Sequence, residues 1–229
     1  MAAPFTIPLW ADILAVAIGS LQGAIFAAGF RDRRLDLLGV AIIGTASGLG
    51  GGLLRDILLN VTPAALSNNW LLLAAVGAAL AGMLLERIFV RVDALITLLD
   101  ALTIGLFGAI GATKALALGI PEVPSVFIGV ISAVGGSVVR DMLLTLPIAL
   151  MHVGSLYAVA ALVGTATLVL AVSAGAPIAG AAIVGVAVTT VIRVLAVRFG
   201  WSLPEQRALG PLRFPVRRLP LRHRLARRR

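Results

Sequence analysis

The sequence predicts an all-α integral membrane protein with seven transmembrane helices, arranged as two inverted three-helix repeats plus a seventh helix. Three observations carry this reading. Of 229 residues, 60% are hydrophobic and only 13% are charged, and the mean hydropathy is +1.06, well above the apolar share of a water-soluble domain. The apolar residues fall into seven runs, each long enough, at about 1.5 Å per residue, to cross roughly 30 Å of hydrocarbon. A glycine-rich, charged motif late in the second run returns late in the fifth.

The runs lie near 9–29, 37–60, 70–90, 94–117, 123–146, 149–173 and 177–197. None shows the alternating pattern of a membrane β-barrel, so helices are left as the way to satisfy backbone groups in lipid. The first run lacks a basic leader and is followed by further spans, so it is expected to stay in the mature chain. It carries Asp12 near its start and the pair Gly19/Gly23, spaced for close helix packing; Gly105, Gly108 and Gly111 in the fourth run read the same way. The fourth run also holds Asp100 and, near its end, Lys114. Asp12 and Lys114 sit close enough to span ends to reach lipid headgroups.

The second run contains GTASGLGGGLLRDILLN at 44–60, and the fifth contains GVISAVGGSVVRDMLLT at 129–145. Eight of the seventeen aligned positions are identical: Gly44/Gly129, Ser47/Ser132, Gly50/Gly135, Gly51/Gly136, Arg55/Arg140, Asp56/Asp141, Leu58/Leu143 and Leu59/Leu144. Pro63 and Pro147 follow at nearly equal distance, and Gly23 finds Gly108 at the same offset of 85 residues. Each unit holds three spans, an odd number, so the second copy crosses the membrane upside down relative to the first. Repeat one covers about 9–90 and repeat two about 94–173; the seventh helix, about 177–197, stands outside them. Inverted repeats place their site near the bilayer midplane, between the copies. The adjacent glycines are expected to kink spans two and five there, since each weakens a helix by about 1 kcal/mol relative to alanine.

An ionisable group at such depth costs about 2.5–3.5 kcal/mol unless paired or wet, so Arg55, Asp56, Arg140 and Asp141 are candidate functional charges. The alternative is that each arginine snorkels to the interface or clamps a neighbouring helix. Consecutive residues do not share a helix face, which argues against Arg55 lying on Asp56. Crossed pairing, Arg55 with Asp141 and Arg140 with Asp56, is open to the chain. Ser47, Ser132, Asp100 and Lys114 are candidate pore-lining residues.

The charge distribution orients the chain. Residues 198–229 hold ten Arg against one Glu, whereas residues 1–197 hold nine basic and nine acidic residues. The net +9 therefore belongs to a tail after the last span, which reads as a cytoplasmic segment near anionic lipid headgroups rather than a nucleic-acid binder. Arg31, Arg33, Arg34, Arg87 and Arg91 fall on the same side as that tail, which puts the N-terminus outside and the C-terminus in the cytoplasm. Residues 1–197 then form the transmembrane domain and 198–229 the tail. No cysteine is present, which excludes disulfides and thiolate metal sites. His152 and His223 are isolated, so neither a metal site nor a cofactor is expected. No Walker A, Ser–His–Asp or paired-carboxylate arrangement occurs, and an enzyme is not expected.

GGGLLRD at 50–56 and GGSVVRD at 135–141, each followed by a proline, together with DALTIGLFGAIGATKAL at 100–116, resemble the prokaryotic TRIC family, the trimeric intracellular cation channels. The chain departs from the doubled motif at Ser137, where the first copy has Gly52. The resemblance implies a homotrimer in a bacterial inner membrane, with one pore per subunit between kinked spans two and five, conducting potassium and, less selectively, sodium. It also implies that Gly50, Gly51, Gly52, Gly135, Gly136 and Ser137 shape the kinks and that Arg55, Asp56, Arg140 and Asp141 set the field and the gate. The alternative is a secondary transporter of a small solute such as glycine, to which an inverted repeat is equally suited.

Overall fold

The computed structural model describes residues 8–29, 35–89, 93–151 and 156–203. Arg31, Arg33, Arg34, Arg91, His152, the Arg87 side chain and the basic tail from residue 204, including His223, lie outside this description. The described chain is helical: α1 (Leu9–Gly29), α2 (Leu37–Leu58), the short α3 (Ala64–Ser67), α4 (Asn69–Phe89), α5 (Asp93–Ala117), α6 (Glu122–Leu143), α7 (Tyr157–Ser173) and α8 (Ile178–Phe199). Six of these are long and apolar enough to span a membrane. At 17 residues, α7 is at the short end of the range that spans about 30 Å, and it completes seven.

Local sequence sets the ends. Asp36 caps α2 by accepting from the Gly39 N–H at 2.7 Å, and α8 stops at Gly200, whose φ of 65° is left-handed. The turns after α2 and α6 are copies of one another. Asn60 and Thr145 take φ of 53° and 52°, and the Val61 and Leu146 N–H groups return to the carbonyls of Asp56 and Asp141, as in a Schellman turn. The sixth span departs from the run expected at 149–173. A 3-10 turn occupies Ala149–Met151 and the helix begins at Tyr157, with the Ala149 N–H bound by the Asp141 carboxylate at 3.0 Å.

α1 packs on α2 and α4, α5 packs on α6 and α7, and α2 lies against α6 at the centre. α8 packs on α5 and α7, both from repeat two. Lipid offers no hydrophobic force to draw helices together, so close packing of small residues takes that role: Ala15, Ala24, Ala75, Ala79, Ala101, Ala112, Ala160 and Ala161 are fully buried. Many of the large apolar side chains point outward instead. Trp10 and Trp70 are exposed at the starts of α1 and α4, the same end of the bundle, where interfacial aromatics belong.

Candidate functional site

α2 and α6 cross antiparallel at their glycines, and the contact is symmetric under the repeat. A Cβ on Gly51 would fall on the Ser132 carbonyl oxygen, and one on Gly136 would fall on the Ser47 carbonyl oxygen. One on Gly50 would meet the Gly136 Cα at 3.3 Å, and one on Gly135 would meet the Gly51 Cα at 3.0 Å. Both helices run through this region as uninterrupted α-helix. These four glycines therefore let two backbones touch. Gly52 plays no part in that contact: its nearest neighbour would be Arg55 Nη2 at 3.8 Å. Ser137, its counterpart, turns its hydroxyl back to the Val134 carbonyl at 2.8 Å.

One helical turn beyond the crossing on each helix, about 6 Å along the axis, stands an Arg-Asp pair. Because the helices are antiparallel, the two pairs lie on opposite sides of the crossing. All four residues are buried, Arg55 at 2% and Arg140 at 7% exposure, Asp56 at 1% and Asp141 at 2%. The expected crossed pairing does not occur. Arg55 Nε donates to Asp56 Oδ1 at 2.7 Å and Arg55 Nη2 to Asp56 Oδ2 at 3.1 Å. Arg140 likewise donates to Asp141 Oδ1 from Nε at 3.0 Å and Nη2 at 2.8 Å. The rule that neighbours on a helix face apart fails here because arginine is long enough to fold around the helix end. The crossed partners, by contrast, stand on opposite sides of the crossing.

Each aspartate also closes the turn after its helix: Asp56 Oδ2 accepts from the Ala64 N–H at 2.8 Å, and Asp141 Oδ2 accepts from the equivalent Ala149 N–H. The Pro63 and Pro147 segments are thereby tied back onto the charged pairs.

The surroundings of the two pairs differ. At the first, Lys114 Nζ donates to Asp56 Oδ1 at 2.8 Å, and Asp12 Oδ1 stands 3.7 Å from Arg55 Nη1. Asp12 and Lys114, expected to reach headgroups, join a four-charge cluster in which these two partly exposed charges, at 19% and 24% side-chain exposure, balance the buried Arg55 and Asp56. Arg55 Nη1 makes no hydrogen bond and borders a cavity of about 20 Å³ lined by Asp12, Gly52, Arg55, Asp56 and Phe107, enough for one water. At the second pair the guanidinium of Arg140 sits 4.0 Å over the Phe26 ring, a cation–π contact.

A third cluster surrounds Asp100. Gln22 Nε2 donates to its Oδ1 at 2.7 Å and Arg193 Nε to its Oδ2 at 2.9 Å, while the Arg193 guanidinium lies 4.7 Å over the Tyr157 ring. Sequence reasoning missed Gln22, Phe26, Tyr157 and Arg193. An arginine inside the run 177–197 was the signal for the last. Ser47 and Ser132 supply the carbonyls of the crossing, and the Ser132 hydroxyl is buried without a partner. Among the described residues no group of acids and histidines could hold a metal ion.

Comparison with known proteins places this arrangement. The family model described as Glycine transporter matches residues 9–87 and again 97–173, once on each repeat. The UPF0126 membrane protein of Deinococcus radiodurans is 34% identical over 158 residues, covering 68% of this chain and 72% of the relative. The UPF0126 inner membrane protein YadS of Escherichia coli is 30% identical over 199 residues, 85% of this chain and 94% of its own. Among solved structures, one reported as the structural basis for conductance through TRIC cation channels superposes with TM-score 0.79 at 30% identity, covering 88% of this chain and 98% of that one. The TRIC trimeric intracellular cation channel orthologue from Rhodobacter sphaeroides gives TM-score 0.77 at 28% identity, with 84% and 98% covered. This multi-pass membrane protein belongs to the TRIC family, the one that the doubly matching Glycine transporter model describes.

Proposed function

We propose that the protein is a passive channel for monovalent cations, potassium and less selectively sodium. Each subunit of a homotrimer would carry its own path between α2 and α6. The observation that supports this most is the symmetric glycine crossing of α2 and α6 flanked on both sides by a buried Arg-Asp pair, in a chain similar to solved TRIC cation channels. The packed crossing is the closed arrangement; bending at the glycines would part the helices and let water reach the two pairs. Each pair is neutral, so a cation meets no net positive barrier, and the carboxylates at both levels offset the arginines. The filter sequence TVGYG does not occur, which fits modest discrimination among monovalent cations. In this reading the basic tail is cytoplasmic and rests on anionic lipid.

The description of the family model supports a second reading, a carrier of glycine. Purified protein in a planar bilayer separates the two. Discrete current steps in KCl with no solute gradient, reversing near the potassium equilibrium potential, support the channel. Glycine uptake into liposomes without unitary currents supports the carrier and removes the channel.

A further inference from the structure

The two Arg-Asp pairs are alike, but the charges around them are not. At the first, Lys114 shares the Asp56 carboxylate and Asp12 faces Arg55. At the 85-residue offset of the repeat, Asp12 corresponds to Thr97 and Lys114 to Gly29, neither of which ionises. One end of the proposed path therefore carries an acid and a base that have no copy at the other.

Among the acids of the three charge clusters, Asp12 alone keeps its oxygens open. Asp56 accepts from Arg55 Nε and Nη2, the Ala64 N–H and Lys114 Nζ. Asp141 accepts from Arg140 Nε and Nη2 and the Ala149 N–H, and Asp100 is held by Gln22 and Arg193. A carboxylate offers about four lone-pair sites. The ion pair that Asp12 makes among the described residues, with Arg55 Nη1, is 3.7 Å long, beyond hydrogen-bond reach. That Nη1 is itself buried without a hydrogen bond and borders the same cavity as Asp12. Asp12 stands in the first turn of α1, at the end of the bundle marked by Trp10 and Trp70. A cation arriving from water there meets this partly exposed carboxylate before the buried pair. Without it, Arg55 and Lys114 would face Asp56 alone, and the entrance would be positive.

We propose that Asp12 is a selectivity-determining residue that admits cations at this one end of the path. Its open oxygens replace part of the hydration of a monovalent cation, and its charge offsets Lys114. The opposite end has no equivalent, so cation entry is asymmetric. This rests on the reading that ions pass between α2 and α6 beside the pairs.

Asp12→Asn keeps the side chain's size and leaves the cluster with one positive charge in excess. In single-channel recordings at low KCl, unitary current should fall about fivefold in one direction, that of potassium entering at the Asp12 end, as one elementary charge nearby at intermediate screening implies. Current in the other direction should change by less than about twofold. Raising KCl from about 0.1 M to about 1 M shortens the screening length from about 10 to about 3 Å and should remove most of the difference. The double variant Asp12→Asn/Lys114→Gln reproduces the bare pair that Arg140 and Asp141 form in the same protein, and its inward and outward currents should lie between those of the parent and of Asp12→Asn. A fall equal in both directions and at both salt concentrations is a structural effect and overturns the proposal. So does a double variant that conducts like the parent, which reduces Asp12 to a counter-charge for Lys114. If Asp12→Asn does not fold, the double variant decides alone: a one-directional, salt-sensitive loss supports the proposal, and parental current overturns it. A parent without unitary currents removes the conduction reading and the proposal with it, whereas a conducting parent matched by Asp12→Asn removes the proposal only.

Discussion

Alanine replacements along the two glycine motifs should rank by what each added methyl meets. At Gly51 and Gly136 it falls on a backbone carbonyl oxygen of the facing helix, where no side-chain rotation gives relief. A carbon–oxygen contact settles near 3.3 Å, so α2 and α6 must part by about 1 Å. Overpacking of this kind costs about 1–3 kcal/mol, partly offset by the roughly 1 kcal/mol by which alanine favours a helix over glycine. At the upper end of that range, where the facing group is backbone and cannot yield, the net loss is about 2 kcal/mol, a fall in Tm of about 4–8 °C for a protein of this size. The two variants should fall equally, being the same contact seen from either repeat. The double variant should fall by less than their sum, because helices parted by one methyl have room for the other. Gly135→Ala, 2.8 Å from Leu54 Cδ1 and 3.0 Å from the Gly51 Cα, should cost less, and Gly50→Ala, 3.1 Å from Val139 Cγ2, less again. Gly52→Ala has nothing nearer than 3.8 Å and should hold or raise Tm. The assay is thermal unfolding of each purified variant in one detergent, followed by tryptophan fluorescence. A Gly52→Ala loss as large as that of Gly51→Ala would refute the contact argument and leave intrinsic helix bending as the role of the motif.

Three further outcomes follow from the charges. Asp56→Asn leaves two cations, Arg55 and Lys114, without their shared carboxylate, whereas Asp141→Asn strands Arg140 alone; breaking a buried pair costs about 3–5 kcal/mol, so unfolding in detergent should show the Asp56 variant as the less stable. Arg55→Gln and Arg140→Gln should each raise cation current and Asp141→Asn should lower it, since like charges repel strongly in a poorly screened path; recordings with all amplitudes and selectivities unchanged would make the pairs structural clamps only. A reporter fused after Arg229 should be active only in the cytoplasm and one in the 61–69 loop only outside, and the reverse would invert the orientation.

Much of the architecture was legible because lipid imposes it. Seven apolar runs became six long helices and one shorter one, α7, since backbone polarity leaves no other course, and the two RD motifs stood out as charges in an apolar setting. What the sequence hid was partnership. A rule about which residues share a helix face is framed for short side chains, and it misled at Arg55 because arginine reaches its neighbour around the end of α2. Asp12 and Lys114 looked like interfacial anchors one at a time. Their pull towards each other's partners exists only once α1, α2 and α5 are packed. The glycines at 50, 51, 135 and 136 read in one dimension as a bend, and only the opposing carbonyls of Ser47 and Ser132 reveal that they also make a close contact. The Asp100 cluster draws on four helices, and only the arginine in span seven announced it.

The central claim is that cations pass between α2 and α6 beside the Arg-Asp pairs, and one labelling experiment tests it directly. Gly52 borders the cavity at Arg55 and Asp56 and has room for a Cβ, and the chain has no cysteine of its own. Gly52→Cys, recorded in a bilayer while a cationic thiol reagent is added, should lose its unitary current as the reagent attaches, and the parent protein should be unaffected. Undiminished current from protein shown by mass spectrometry to be fully modified would contradict the account and place the path elsewhere.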